Sequence, residues 1–188
     1  QMQLDVKSMR AAEVLPDLIK ALELSSDKKV IEATKYLKTW NSDMDSDSIA
    51  ASIFEIFFST WCGLIATERF PKPSLTLISQ AISGLAVKLL HEDKHKWFRN
   101  NNKENVIIKA MELTISKLTE LLGPNMEKWE WGNIHKINLP HKLSPIGDLS
   151  KLLDTGGDPI SGNGITVCNT GYDPNYLASI GANWRHNT

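Results

Sequence analysis

Ile49-Ala50-Ala51-Ser52-Ile53-Phe54-Glu55-Ile56-Phe57-Phe58-Ser59-Thr60-Trp61-Cys62-Gly63-Leu64-Ile65 is the longest apolar run of the chain. Ser52, Glu55, Ser59, Thr60 and Gly63 interrupt it without confining the apolar residues to one stripe. A helix that is apolar around most of its circumference must be covered by other elements, so this run reads as the centre of a helical core. A bilayer span calls for about 20 predominantly apolar residues. With its polar interruptions, the run reads as a buried helix and no membrane span.

Outward from this centre the chain keeps helical spacing in both directions. Upstream, Leu4 to Leu24 forms one amphipathic stretch, bent or divided at Pro16, which lacks a backbone donor. Ser26 is placed to cap a second helix with Val30, Ala33, Leu37 and Trp40 along one face. Asn41 to Ser46 is turn-like, and Asp45 or Ser46 is read as the cap of the central helix, which runs to about Thr67. Downstream, Pro71 and Pro73 end that helix. Leu75 to Leu90 is a fourth helix, and His91 to Asn102 a charged connector around Trp97-Phe98. Lys103 to Leu122 is a clean amphipathic helix stopped by Gly123-Pro124.

The pattern changes at residue 124. Eight of the eleven glycines follow it, with Pro140, Pro145, Pro159 and Pro174, and the apolar runs shorten. This reads as loop with short strands, Ile165-Thr166-Val167 being the best strand candidate. The expected fold is therefore mainly α. Five or so packed helices over residues 1–123 form the scaffold. A Trp- and Gly-rich tail over 124–188, with no periodic apolar face of its own, packs on them as part of one folded unit.

Formal net charge is −1 with 23% charged residues, so no basic field exists to attract nucleic acid. No targeting signal is visible at the start. Cys62 and Cys168 read as two unrelated thiols, although one disulfide is open to them.

Several arrangements invite a chemical reading. His91-Glu92-Asp93-Lys94-His95 satisfies the H-E-x-x-H pattern of a zinc hydrolase, with both histidines on one helical side. Its charged helix end and missing third ligand argue for no metal. His135 and His141 read as hydrogen-bonding loop residues. Asp43, Asp45 and Asp47 resemble the opening of a calcium loop, but position six is Ser48 and the run enters an apolar helix, so helix capping accounts for them better. Gly156-Gly157 and Gly162-Asn163-Gly164 read as turns, because no G-K-[ST] follows. Trp129, Trp131 and Trp184 could stack bases, but without interleaved Arg or Lys they read as packing residues. No catalytic, metal or cofactor residue is assigned.

The segment Lys128-Trp129-Glu130-Trp131-Gly132-Asn133-Ile134-His135, with Pro140-His141 and Gly162-Asn163-Gly164-Ile165-Thr166-Val167 after it, resembles the penicillin amidase family of N-terminal-nucleophile hydrolases. That family carries W-x-W-G-x-x-H, H-P-L and G-x-G-x-T-V late in its β-subunit. Gln3-Leu4-Asp5-Val6-Lys7-Ser8 resembles its Q-x-D-x-x-S segment. Trp40, Met44 and Asp47 to Glu55 resemble W…M…D-S-x-A-A-x-I-F-E. Gly181-Ala182-Asn183-Trp184-Arg185 is similar to G-A-S-Y-R. The matches are ordered from Gln3 to Arg185. Lys142, Cys168 and Asn183-Trp184 depart from the pattern.

The resemblance implies a late segment of the β-subunit of a larger α/β N-terminal-nucleophile hydrolase. Its partners would be the remainder of the parent enzyme: the α-subunit and the N-terminal part of the β-subunit. The parent would hydrolyse an amide bearing a hydrophobic acyl group, such as a β-lactam side chain or an acyl-homoserine lactone, through an N-terminal Ser. Such a nucleophile needs a hydroxyl or thiol beside its own free α-amine. Gln1 has neither, and the nitrogen of Ser8 is an amide. The chain as given is expected to be an inactive scaffold. The alternatives are a non-catalytic helical interaction module and a zinc hydrolase using His91, Glu92 and His95.

Overall fold

Ser48 starts the central helix. Its hydroxyl accepts the backbone N–H of Ala51 at 3.2 Å, satisfying one of the donors a helix leaves open at its first turn. In the computed structural model, which describes residues 2–94, 96–98, 102–146 and 148–181, that helix is α3 (Ile49–Arg69). It follows α1 (Met9–Leu22) and α2 (Lys28–Thr39) and precedes α4 (Leu75–Ala81), α5 (Ser83–His91) and α6 (Lys103–Leu122). Two short helices, α7 (Trp131–Ile134) and α8 (Ser150–Leu153), lie among β1 (Lys136–Leu139), β2 (Thr155–Pro159), β3 (Thr170–Tyr172) and β4 (Ala178–Gly181). Helix makes up 57% of the chain, so the fold is mainly α, as its periodicity predicts.

The chain divides into two units: Arg10–Asn41 with Ser52–Met126, and Gln1–Met9 with Ser42–Ala51 and Glu127–Thr188. The first is the helical unit. Ile53, Phe54, Ile56, Phe57, Trp61 and Ile65 of α3 are fully buried, as are Leu18 and Leu22 of α1 and Leu37 of α2. Phe57 stacks on Trp61 with ring centroids 6.5 Å apart. The Trp61 Nε1–H donates to the Ala86 carbonyl at 3.0 Å, so a large apolar side chain is buried with its polar atom satisfied. By length and composition α3 could cross a membrane, but 72% of its apolar window is buried inside the protein.

Several local expectations change. Pro16 sits within an undivided α1. It and Ala12 lie on the exposed face, where water can reach the carbonyl that the proline ring leaves without a donor. The cap of α2 is Asp27, whose carboxylate accepts the N–H groups of Lys29 and Val30, rather than Ser26. The cap of α3 is Ser48 rather than Asp45 or Ser46. The single helix expected from Leu75 to Leu90 is two, bent by 78° at Ile82. α4 buries none of its residues, so its apolar spacing faces no core and nothing keeps it in line with α5. Phe98, expected in an open connector, is buried against Trp61 with centroids 5.4 Å apart. The α6 boundaries agree with the sequence reading. Gly123 follows at φ +86° and donates to the Thr119 carbonyl at 2.9 Å.

The second unit holds a four-stranded sheet in the order β2-β1-β4-β3. β1 runs antiparallel to β2 and parallel to β4, and β3 is antiparallel to β4. Ile165-Thr166-Val167 is a loop, contrary to its β-rich composition. The Asn163 side-chain oxygen accepts the N–H groups of Ile165 and Thr166 at 2.9 and 3.1 Å, removing donors that a strand ladder would need. Gly156 and Gly157, expected in a turn, belong to β2, opposite an irregularity in β1.

Candidate functional site

The motif residues of the tail converge on one buried cluster. Trp131 and Gly132 open α7 by donating backbone N–H bonds to the carbonyls of Ser48 at 3.1 Å and Ser46 at 2.6 Å. The approach at Gly132 leaves no room for a side chain, since a Cβ would lie 2.6 Å from Pro159 Cβ and 3.0 Å from the Ser46 oxygen. The Trp131 indole N–H donates to the Gly162 carbonyl at 2.9 Å. Gly162 itself, at φ +91°, donates to the Met44 carbonyl at 2.7 Å. The W-x-W-G-x-x-H and G-x-G-x-T-V segments are thus tied to each other through Met44 to Ser48. The N-terminal segment joins them: Met44 N–H donates to Val6 O at 2.9 Å, and Cys168 N–H to Asp5 O at 2.7 Å.

His135 lies at the centre. Its ring stacks on Trp131 with centroids 4.6 Å apart, and the edge of Tyr172 meets it at 5.5 Å. Nδ1 is 2.8 Å from the Tyr176 carbonyl, which can only accept, so Nδ1 carries a proton. Nε2 is 3.0 Å from the Thr170 hydroxyl, and the same oxygen is 3.2 Å from the Ser161 carbonyl. A hydroxyl, an imidazole and an acceptor that orients it are the parts of a hydrolytic triad. Here His135 is 0%, Thr170 1% and Tyr176 4% exposed, so the hydroxyl is closed off from solvent. The arrangement satisfies buried polar groups and fixes the loop that carries them. Sequence reading singled out Trp131 as a packing residue and His135 as a hydrogen-bonding one, but not the cluster they form with Thr170, Tyr172 and Tyr176, which belong to no spaced motif.

The other candidates lie apart from this cluster. α5 ends at His91, and Glu92 is extended at φ −153° and ψ 148°. The helix that the zincin pattern requires therefore stops at the first histidine of the motif. His95 lies outside the described residues. The two ring nitrogens of His91 face opposite ways, Nδ1 to Asp17 Oδ2 at 2.6 Å and Nε2 to Glu13 Oε1 at 3.3 Å. Among the described residues no group of three or more His, Cys, Asp or Glu side chains could hold a metal ion. Asp45 is pushed above the usual carboxylate range by partial burial and then by Asp43 and Asp47. His141 lies in an exposed loop, where its backbone N–H and the Ser144 hydroxyl both donate to Asp154. The Ser144 bond, then that of His141, hold the Asp154 carboxyl below its ordinary range.

Trp129 and Trp131 are fully buried and cannot stack bases; Trp184 lies outside the described residues. Cys62 and Cys168 are both buried thiols. Burial pushes Cys62 up to about 12, which keeps it protonated and unreactive at neutral pH. The family model described as penicillin amidase matches residues 1–187.

Proposed function

The chain belongs to the penicillin amidase family, and from that premise we propose that it is the structural portion of an amidohydrolase, a late segment of a β-subunit that is inactive alone. The complete enzyme hydrolyses an amide with a hydrophobic acyl group, of the kind borne by β-lactam side chains or acyl-homoserine lactones. In that complete enzyme the nucleophile is an N-terminal Ser. The observation that carries this reading is the closure of the motif cluster. Trp131 and His135, the most distinctive residues of the resemblance, are fully buried, with their ring nitrogens bonded inside the fold.

The surface of the tail supports a covering partner. Leu139, Leu143, Ile146, Leu152 and Ile180 of the tail are all exposed, apolar area that a covering partner would remove from water. We assign that cover to the remainder of the parent enzyme, namely the α-subunit and the N-terminal part of the β-subunit.

Co-expression with the upstream part of the coding sequence, including its Gly-Ser or Gly-Thr processing junction, tests the assignment. The expected result is a stable complex that cleaves a chromogenic phenylacetyl amide. Introducing Trp131→Ala should reduce the amount of active complex while leaving KM unchanged. Absence of any complex with the upstream part, or a Trp131→Ala complex at full yield with altered KM, would count against the scaffold role.

A further inference from the structure

Within the helical unit, His91 closes α5 against α1. Glu13 and Asp17 are one helical turn apart on α1, so their carboxylates share a face. His91 stands between them, Nδ1 at 2.6 Å from Asp17 Oδ2 and Nε2 at 3.3 Å from Glu13 Oε1. Carboxylate oxygens accept and do not donate. Both contacts exist together only when both ring nitrogens carry protons, so this geometry belongs to the imidazolium. Lys103 pins the same helix end from α6, its ammonium donating to the carbonyls of Leu90 at 3.0 Å and His91 at 3.1 Å.

We propose that His91 is a proton-operated clamp joining the C-terminus of α5 to α1, closed by Glu13 and Asp17 while the ring is an imidazolium and loosened when it loses a proton. Other charged groups nearby line the same cleft of about 360 Å³: Lys20 on α1, and Lys103 and Glu104 on α6. Lys20 and Lys103 oppose a positive ring, while Asp17, Glu13 and Glu104 favour one. The clamp sits in the wall of this cleft. The Asp17 hydrogen bond, opposed by burial and reinforced by Glu13, raises His91 above its ordinary 6.5. A folded-state pKa raised above the unfolded value gives stability that is present below pH 6.5 and lost as pH rises through the folded value. The clamp is therefore closed in mildly acidic solution and opens towards alkaline pH.

The test is an NMR titration of the histidine side chains in the full chain, with His91 assigned by His91→Gln. At pH 6 both nitrogens of His91 should be protonated, with a midpoint above that of a free histidine. Asp17→Asn should lower the midpoint more than Glu13→Gln does. The wild-type melting temperature should fall between pH 6 and pH 8 more steeply than that of His91→Gln. A single neutral tautomer at pH 6, or a midpoint indifferent to Asp17→Asn, overturns the proposal. The tautomer measurement needs only the wild-type chain, so it decides even if a variant does not fold. The outcome is independent of the amidohydrolase assignment, because no residue of the clamp belongs to the motif cluster.

Discussion

At Trp131 the indole edge and the ring face are both used: the N–H holds Gly162, and the face carries His135. Truncating a fully buried tryptophan costs about 3–5 kcal/mol, a large share of a domain stability of roughly 5–15 kcal/mol. Trp131→Ala should markedly lower the urea midpoint, and Trp131→Phe should do so by less. Phe98→Ala belongs in the same class as Trp131→Ala, because Phe98 is 5% exposed and packed on Trp61. An unchanged midpoint for either alanine variant would show that the site is not packed as described.

Cys62 gives a prediction in pH. Burial raises its thiol from 9.0 to about 12, with Glu55 adding and Arg10 opposing. The folded chain thus holds this proton more tightly than the unfolded chain, and the resulting stability is present below pH 9 and lost between about pH 9 and pH 12. A shift of this size corresponds to roughly 4 kcal/mol. Denaturation at pH 8 and pH 11 should show a greater loss for the wild type than for Cys62→Ala, and equal losses would contradict the shift. Ser52 points the other way, since its hydroxyl is buried without a hydrogen-bond partner among the described residues. Ser52→Ala should leave stability unchanged or raise it by about 1 kcal/mol, as read from chemical denaturation.

Among the elements, α6 was legible to the residue. Its apolar face and the Gly123-Pro124 stop point to the same boundaries, and the structure adds the Asn102 cap. α3 was legible as a core helix because no other placement hides so much apolar surface, but its cap was not. Asp45, Ser46 and Ser48 are all competent caps by residue type, and geometry selects Ser48, while the backbone of Ser46 is bonded to Ser161 and Gly132. Ser48→Ala should cost about 1 kcal/mol and lower the melting temperature accordingly. The break between α4 and α5 was not legible, because apolar spacing records a face without recording whether a core lies opposite it. Ile165-Thr166-Val167 failed for a related reason. β-propensity describes side chains, while Asn163 decides the backbone. The aromatic interior of the tail escaped a search for periodic aliphatic faces. Trp131, His135, Tyr172 and Tyr176 come from loops and short elements, and only the fold brings them together.

For the molecule as a whole, the family and the mainly α architecture could be read from ordered motifs and helical spacing. The grouping of Gln1–Met9 and Ser42–Ala51 with the tail could not, since it depends on backbone hydrogen bonds such as those of Met44 and Gly162. The same bonds close the motif cluster, and the proposed scaffold role rests on that closure. The decisive measurement is amide hydrolysis by the purified chain on a chromogenic phenylacetyl substrate, with Thr170→Val assayed beside it. No turnover is expected from either protein. Turnover that follows the wild-type chain through purification and disappears in Thr170→Val would refute the scaffold role, and would make the buried Thr170–His135 pair a catalytic one.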